Sequence, residues 1–288
     1  MTQTEKLPWS AEQRLRFIEF RLFWYGSLNR ADLMNTFDIA IAQASKDLSY
    51  YQIVAPKNMD YDKSAKVYRR SKEFEPRFYQ PDAEQYLSML HMDSEEVTNN
   101  WMPYVPLIDS LPVPMRRVDV RILRDVVSAI RQNKVLRINY QSMSKNRPEA
   151  QIRQISPHAM ATDGMRWHVR AYCHIDHKFK DFLLSRLLEC EVLNEDGYSA
   201  LEDHIWQEHF EVVLKPNPEL SEEQQAMIAK DYYMQNGILK ISIRNALLYY
   251  FQKRLRLDVA KFLKVPQEQP LVLVNEAEFE KALQGANY

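Results

Sequence analysis

Between Ser10 and Arg69 the hydrophobic period changes from helical to alternating, and few folds accommodate that change in so short a span. Ser10 is placed to cap a helix running to about Tyr25, with Glu12 and Gln13 in its first turn and Leu15, Ile18, Leu22 and Tyr25 as its apolar stripe. Gly26 stops it. Asn29 can cap a second helix, Arg30 to about Asn35, with Leu33 and Met34 facing inward. A turn at Thr36-Phe37-Asp38 leads into a third helix, about Ile39 to Tyr51, where Ala44, Leu48 and Tyr51 recur at core spacing. Ile53-Val54-Ala55-Pro56 then reads as a short strand, and Lys57 to Arg69 as a β-ribbon with a basic, polar tip. Three short helices with a tight second turn, followed by a ribbon, have the layout of a winged helix-turn-helix.

That layout gives the polar residues of the third helix a possible role. Gln43, Ser45, Lys46 and Ser49 point away from the Ala44/Leu48/Tyr51 face. Glutamine can read adenine through paired hydrogen bonds, and lysine and hydroxyls can hold phosphates or base edges. Asn29 and Arg30 at the second helix, and Lys63, Ser64 and Lys66 in the wing, complete the expected DNA-binding set. The plain alternative is an exposed polar face, which every surface helix has.

Residues 74–115 are acidic and proline-punctuated, with Trp101-Met102-Pro103 and Leu111-Pro112-Val113-Pro114 among the breaks. Helices are predicted from Ala83 to about Met92 and from Ser94 to Asn100, in a linker whose apolar residues suit docking. From Val118 to Gln132, Val120, Leu123, Val127 and Ile130 mark an amphipathic helix. Strands follow at Val135–Tyr140 and Ala150–Ile155, and Ser156-Pro157-His158 turns the chain toward a further pair of strands. In that pair Trp167, Val169 and Ala171 alternate with His168, Arg170 and Tyr172, a turn spans His174 to Lys180, and Phe182-Leu183-Leu184 starts the return. A helix followed by a small antiparallel sheet predicts an SH3- or Sm-like barrel. The last segment reads as α+β: helix Ser221–Met234, strand Ile238–Ile243, helix Ala246 to about Arg256, strand Leu271–Val274. Leu247, Leu248, Tyr250, Phe251 and Leu255 give its second helix surplus apolar surface, fit for an oligomer contact or for a core.

The net charge of −1 hides a strong local field. Residues 116–190 carry 15 Lys and Arg against 7 acids, whereas residues 81–115 carry 6 acids and no base. Positive charge, hydroxyls and rings in one segment suit a phosphate-bearing ligand; a merely basic, solvated hairpin is the rival. With five glycines in the chain there is no Gly-rich dinucleotide or P-loop cradle, and neither a G-x-S-x-G elbow nor H-E-x-x-H occurs. Cys173 and Cys190 form no disulfide framework, in keeping with a reduced cytoplasm. Cys173, His174 and His177 make only a loose metal pattern. Asp163, Asp176, Asp181 and His168 would be the acid/base set of a nuclease or nucleotide hydrolase, but these carboxylates are sparse. No catalytic residue, metal or cofactor is therefore expected. Signal peptide and membrane span are absent, which leads to the expectation of a cytoplasmic protein.

With these motifs in view, the chain resembles WYL-domain transcriptional regulators, closest to the BrxR/CapW-type repressors of bacterial anti-phage defence islands. The resemblance rests on Gln43-Ala44-Ser45-Lys46-Asp47-Leu48, Tyr61-Asp62-Lys63-Ser64-Ala65 and Tyr140-Gln141-Ser142-Met143-Ser144. Ser156-Pro157-His158-Ala159 and Gly164 through Ala171 complete it. It implies an α+β multidomain chain: a winged helix-turn-helix at 1–75, a helical linker at 76–117, a WYL domain at 118–200, and a WCX-like α+β dimerisation module at 201–288. It also implies a ligand pocket carried by Tyr140, Ser142, Ser144, His158, Trp167, His168, Arg170 and Arg186. The implied partners are a pseudo-palindromic operator in double-stranded DNA, a second copy of the chain, and a nucleotide or oligonucleotide effector that relieves repression of a defence operon. An activator or a nucleic-acid accessory module keeps the same contacts with a different outcome. The name-giving Trp-Tyr-Leu stands here as Trp167-His168-Val169, and an imidazole in the middle suggests tighter phosphate binding at mildly acidic pH.

Overall fold

The computed structural model describes residues 7–93, 101–114, 116–145, 147–259, 262 and 265–286. The chain divides into two compact units, residues 1–112 and 113–288.

In the first unit α1 (Trp9–Tyr25) is followed by β1 (Ser27–Leu28), α2 (Arg30–Phe37) and α3 (Ile41–Val54), then β2 (Met59–Asp62) and β3 (Val67–Arg70). The strands pair in the order β1-β3-β2, all antiparallel. Leu15, Ile18 and Leu22 of α1 pack with Leu33, Ala44, Leu48 and Tyr51 as the stripes require. Two of three local readings need correction. Pro8, not Ser10, stands at the α1 N-cap, and proline's fixed φ suits the start of a helix. Asn29 does cap α2, through a reciprocal box with Asp32. Ile53 and Val54 are not a strand but the last turn of α3, because Ala55 N–H still bonds to the Tyr51 carbonyl at 2.8 Å.

The linker is bound to this unit. It contributes α4 (Ala83–Asp93), and the predicted helix at Ser94–Asn100 lies outside the described residues. Trp101 packs edge-on against Phe17 and Phe20 of α1, with ring centroids 5.5 and 5.4 Å apart. Trp24 stacks on Tyr86 at 4.0 Å. Glu19, fully buried, accepts the backbone N–H groups of Arg77, Phe78 and Tyr79 and the Tyr51 hydroxyl. A buried carboxylate is tolerable only when so fully bonded. Burial pushes the Tyr51 phenol up, and the Glu19 charge adds to this against the Asn58 hydrogen bond.

The second unit starts with α5 (Val120–Gln132), capped by Asp119, and a five-stranded antiparallel sheet. Its strands are β4 (Lys134–Gln141), β5 (Ala150–Thr162), β6 (Trp167–Cys173), β7 (Lys178–Leu183) and β8 (Leu187–Asp196). The order is β7-β6-β5-β4-β8, so the ladder is open; the closing pair that a barrel needs is absent among the described residues. The predicted turn at Ser156-Pro157-His158 is instead an irregularity inside the long β5, between Pro157 and Ala159. Proline lacks the ladder donor and is at home at such a break. One face of the sheet packs on α5 through Ile138, Ile155, Val169, Ala171 and Phe182.

The remainder forms α6 (His204–Gln207), β9 (His209–Pro216), α7 (Glu222–Asp231), β10 (Leu239–Arg244), α8 (Leu248–Arg254), β11 (Leu271–Leu273) and α9 (Glu276–Gly285). Its antiparallel sheet runs β10-β9-β11. The apolar surplus of α8 faces inward: Leu248 is fully buried, and Phe251 and Leu255 pack on Val212, Leu214 and Phe279. That helix therefore serves a core, and oligomer contact cannot be read from its composition.

Candidate functional site

On the α3 face, Lys46 and Ser49 are exposed, and Gln43 and Ser45 half-buried. Gln43 is not free in this state, since its amide donates to Asp47 at 2.8 Å. Asp47 is itself held by Arg14 at 2.6 Å, with both side chains largely buried. That pair fixes the angle of the polar face against α1. Arg30 reaches Ser45 Oγ at 3.4 Å, joining the two helices at the same surface. Asn29, committed to its cap, accepts from Asp32 N–H at 3.1 Å. In the wing, Asp62 accepts from the backbone of Ser64 and Ala65 and from Arg69 Nε at 2.8 Å, shaping the turn. Those hydrogen bonds hold the Asp62 carboxyl below the usual range. Lys63, Ser64 and Lys66 then stand in solvent, Lys66 in the left-handed region at φ 56°.

The expected ligand residues divide between the two faces of the sheet. Tyr140, Ser142 and Ser144 lie at the β4–β5 corner. Tyr140 is buried, its hydroxyl accepting from Leu183 N–H at 3.2 Å and its ring edge-on to Phe182 at 5.1 Å. Ser142 Oγ accepts from Ser144 N–H at 3.1 Å. Arg186 follows β7 in a single turn of 3-10 helix and is half-buried; it forms no ion pair among the described residues.

On the other face, alternation predicts a solvated row of His168, Arg170 and Tyr172. His168 and Arg170 are instead buried. What covers them comes from the C-terminal module. Arg170 donates from Nε and Nη2 to Asp203 at 2.7 and 3.1 Å, and from Nη1 to Asp181 at 3.3 Å. His158 Nε2 lies 2.9 Å from the same Asp203. Tyr250 of α8 donates to Asp181 at 2.8 Å, and its ring lies 4.8 Å from that of His168. Burial by itself would raise the Asp203 carboxyl; the His158 and Arg170 hydrogen bonds and the Arg170 charge outweigh it and hold it at about 2. Arg170 and His158 are thus already engaged by carboxylates, while Trp167 is half exposed at the strand's start.

Burial is also the main influence on His168, pushing its imidazole below the ordinary value. Asp181 and Asp163 act against this, and Arg166 and Arg186 with it. The ring is therefore neutral near pH 7, and protonation at mildly acidic pH is opposed rather than favoured. Its Nδ1 is buried without a hydrogen-bond partner among the described residues.

Neither Asp203 nor Tyr250 was visible as a site residue in the sequence. Asp203 lies 33 residues from Arg170, and Tyr250 lies 69 from Asp181. The available local signal was Ser199-Ala200-Leu201-Glu202, a capping box that leads directly into Asp203. Among the described residues no group of three or more His, Cys, Asp or Glu is arranged to hold a metal, and no helix is long and apolar enough to cross a membrane. A cavity of about 640 Å³ beside β11, between Lys215, Leu257, Gln269 and Glu276, contains none of the expected ligand residues.

A winged helix-turn-helix, a sheet carrying a modified Trp-Tyr-Leu strand and a C-terminal α+β module define a multidomain regulator, and the chain's relatives agree. Residues 10–92 match the BrxR transcriptional regulator winged helix-turn-helix domain, 121–192 the WYL domain, and 209–279 the BrxR C-terminal dimerization domain. The DNA-binding transcriptional repressor CapW of Escherichia coli (strain KTE188) is 35% identical over 94% of this chain and 91% of its own. CapW of Pseudomonas aeruginosa is 35% identical over 96% and 93%. The chain belongs to the BrxR/CapW family of WYL-domain transcriptional regulators. Proteasome accessory factor B/C of Arthrobacter aurescens, a solved structure, aligns at 16% identity and TM-score 0.26 over all of this chain and 52% of that one, about half its length.

Proposed function

We propose that this protein is a dimeric, cytoplasmic DNA-binding transcriptional repressor of a phage-defence operon. A nucleotide or nucleic-acid-type ligand at the WYL sheet relieves the repression. The observation that carries this reading is the end-to-end likeness to repressors whose own name is DNA-binding. It is supported by a winged helix whose Lys46, Ser49, Lys63 and Lys66 remain exposed for a nucleic acid. Asn29, Arg30, Gln43, Ser45 and Ser64 complete the DNA set, with Gln43 exchanging Asp47 for a base edge on binding. Two heads related by the two-fold of a C-terminal dimer would read a pseudo-palindromic operator.

On the sensor side, Tyr140, Ser142 and Ser144 would face the ligand at the β4–β5 corner, and Trp167, His168 and Arg186 complete the proposed set, with His168 on the covered face of the sheet. Arg170 and His158 would take part through Asp203, which ties the sheet to the dimerisation module. Ligand that favours a dimer whose heads no longer match the half-sites releases the operator, and by linkage operator and ligand must weaken each other equally. Footprinting on the upstream DNA with and without nucleotide ligands tests this, beside a reporter fused to the same region. Protection lost on adding ligand, with reporter output rising when the gene is deleted, is the expected result. Reporter output falling on deletion would make the protein an activator, and equal ligand affinity for free and DNA-bound protein would sink the release mechanism.

A further inference from the structure

The β4–β5 corner gathers more positive charge than it neutralises. Asp176, in the turn between β6 and β7, meets Arg147 at 2.8 Å, Lys180 at 2.9 Å and Arg153 at 3.5 Å. The Cys173 thiol donates to the same carboxylate at 3.3 Å. Three cations on one carboxylate leave two positive charges uncompensated inside the cluster. Gln151 adds only a neutral carbonyl oxygen, 3.2 Å from Arg153.

Arg147 and Lys180 are about one-third exposed, so water can solvate them. Arg153 has no such relief: its side chain is 2% exposed, and its Nε has no acceptor among the described residues. A buried guanidinium with an unbonded donor and a third of a counter-ion is an expensive arrangement for stability alone. An oxyanion entering the corner would supply both the missing acceptor and the missing charge.

The surroundings fit a nucleotide fragment. The Arg153 guanidinium lies 5.9 Å from the Tyr140 ring, and the Arg147 N–H donates to the Ser144 carbonyl at 3.1 Å, which brings the Ser142–Ser144 hydroxyl loop to the same corner. The geometry points to Arg147, Arg153 and Lys180 as an oxyanion site for a phosphate of the effector, with Asp176 as the resident counter-ion that competes with it. This deepens the sensor reading above and rests on it. None of the three cations lies in the Trp-Tyr-Leu strand, and Arg153 reads in sequence as an ordinary strand arginine. A terminal phosphate, carrying nearly two negative charges, matches the surplus of two more closely than an internal phosphodiester does.

The test uses the full-length protein in calorimetry, with inorganic pyrophosphate, a 5′-phosphorylated thymidine dinucleotide and its unphosphorylated counterpart as probes. The phosphorylated dinucleotide should bind at least about tenfold tighter than the unphosphorylated one, as one or more charge-assisted hydrogen bonds would give. Pyrophosphate binding as tightly as the dinucleotide would assign the site to free phosphates, and weaker binding would assign it to nucleotides. The double variant Arg147→Gln/Lys180→Met, altered only at partly exposed positions, should lose that discrimination. Asp176→Asn should tighten phosphate binding, whereas a turn staple would lower thermal stability and leave affinity unchanged. Equal binding of both dinucleotides by the wild type, or unaltered discrimination in the double variant, overturns the site. Operator gel shifts on the same samples separate the two claims. Wild type that binds operator but ignores phosphate removes this site alone, and wild type that binds phosphate but no operator removes the repressor reading alone.

Discussion

In the wing, Lys63 and Lys66 stand in water on either side of Ser64, whereas on the sheet Arg170 is enclosed and held by two carboxylates, Asp181 and Asp203. Both regions are positive by residue count, yet their charges have opposite availability. Exposed lysines keep their hydration until a polyanion arrives, and contribute through counter-ion release. Buried arginines have already lost theirs and must be compensated from within. A positive segment therefore identifies a nucleic-acid contact only after its internal counter-ions are known. Here the head offers charge to the outside, and Arg170 of the sheet is turned toward the C-terminal module.

The contrast breaks first at Asp203. Asp203→Ala leaves Arg170 without its bidentate partner and should cost about 3–5 kcal/mol, lowering Tm on the order of 10 °C in a thermal melt. The same carboxylate sets an acid limit. Its folded pKa, held at about 2, lies below the ordinary carboxylate value, so its contribution is complete above about pH 4 and is lost as pH falls toward 2. Melts from pH 5 to pH 2 should show wild type losing stability through that window and Asp203→Asn losing less. At the head, Lys46→Ala should leave the melt unchanged and weaken operator binding by about 1–3 kcal/mol if the side chain meets bases. Gel shifts at several salt concentrations check that. Tyr250→Phe, which removes a hydrogen bond to Asp181, should cost about 1 kcal/mol in chemical denaturation. The smallest effect belongs to Arg186→Ala: stability within about 0.5 kcal/mol of wild type, basal operator binding intact, and ligand-driven release blunted. Loss of basal DNA binding in that variant would place the sheet, too, among the outward-facing charges.

The head was largely legible because its stripes and caps are local. Leu15/Ile18/Leu22 and Ala44/Leu48/Tyr51 pack as their spacing requires, and Asn29 caps its helix. Ile53-Val54 misled because β-branched residues favour strands, although one more α3 hydrogen bond was available to them. The sheet was legible only on its inner face. Val169 and Ala171 mark a core, but nothing within β6 reveals that His168 and Arg170 also have a cover. That cover comes from residues tens of positions away, beyond the reach of periodicity. β8, β9 and α9 escaped for a related reason: Glu189, Glu191, Glu211, Glu278 and Glu280 dilute their apolar pattern. The residues proposed to face DNA sit on local motifs and could be named from the sequence, whereas the Arg147/Arg153/Lys180 corner required the fold to assemble it.

Glu19 has a mechanical consequence. By fastening the backbone of residues 77–79 to α1 while holding Tyr51 of α3, it makes the start of the linker and α3 parts of one rigid lever. Trp101, Val105 and Ile108 extend that attachment along the aromatic side of α1. Between Ile108 and the Asp119 cap the sequence carries Pro112 and Pro114, which stiffen the backbone. For the proposed ligand-driven release, a few inserted Gly-Ser residues there would act as a slipped clutch: both ends would keep their affinities, and release of the operator by ligand would be lost.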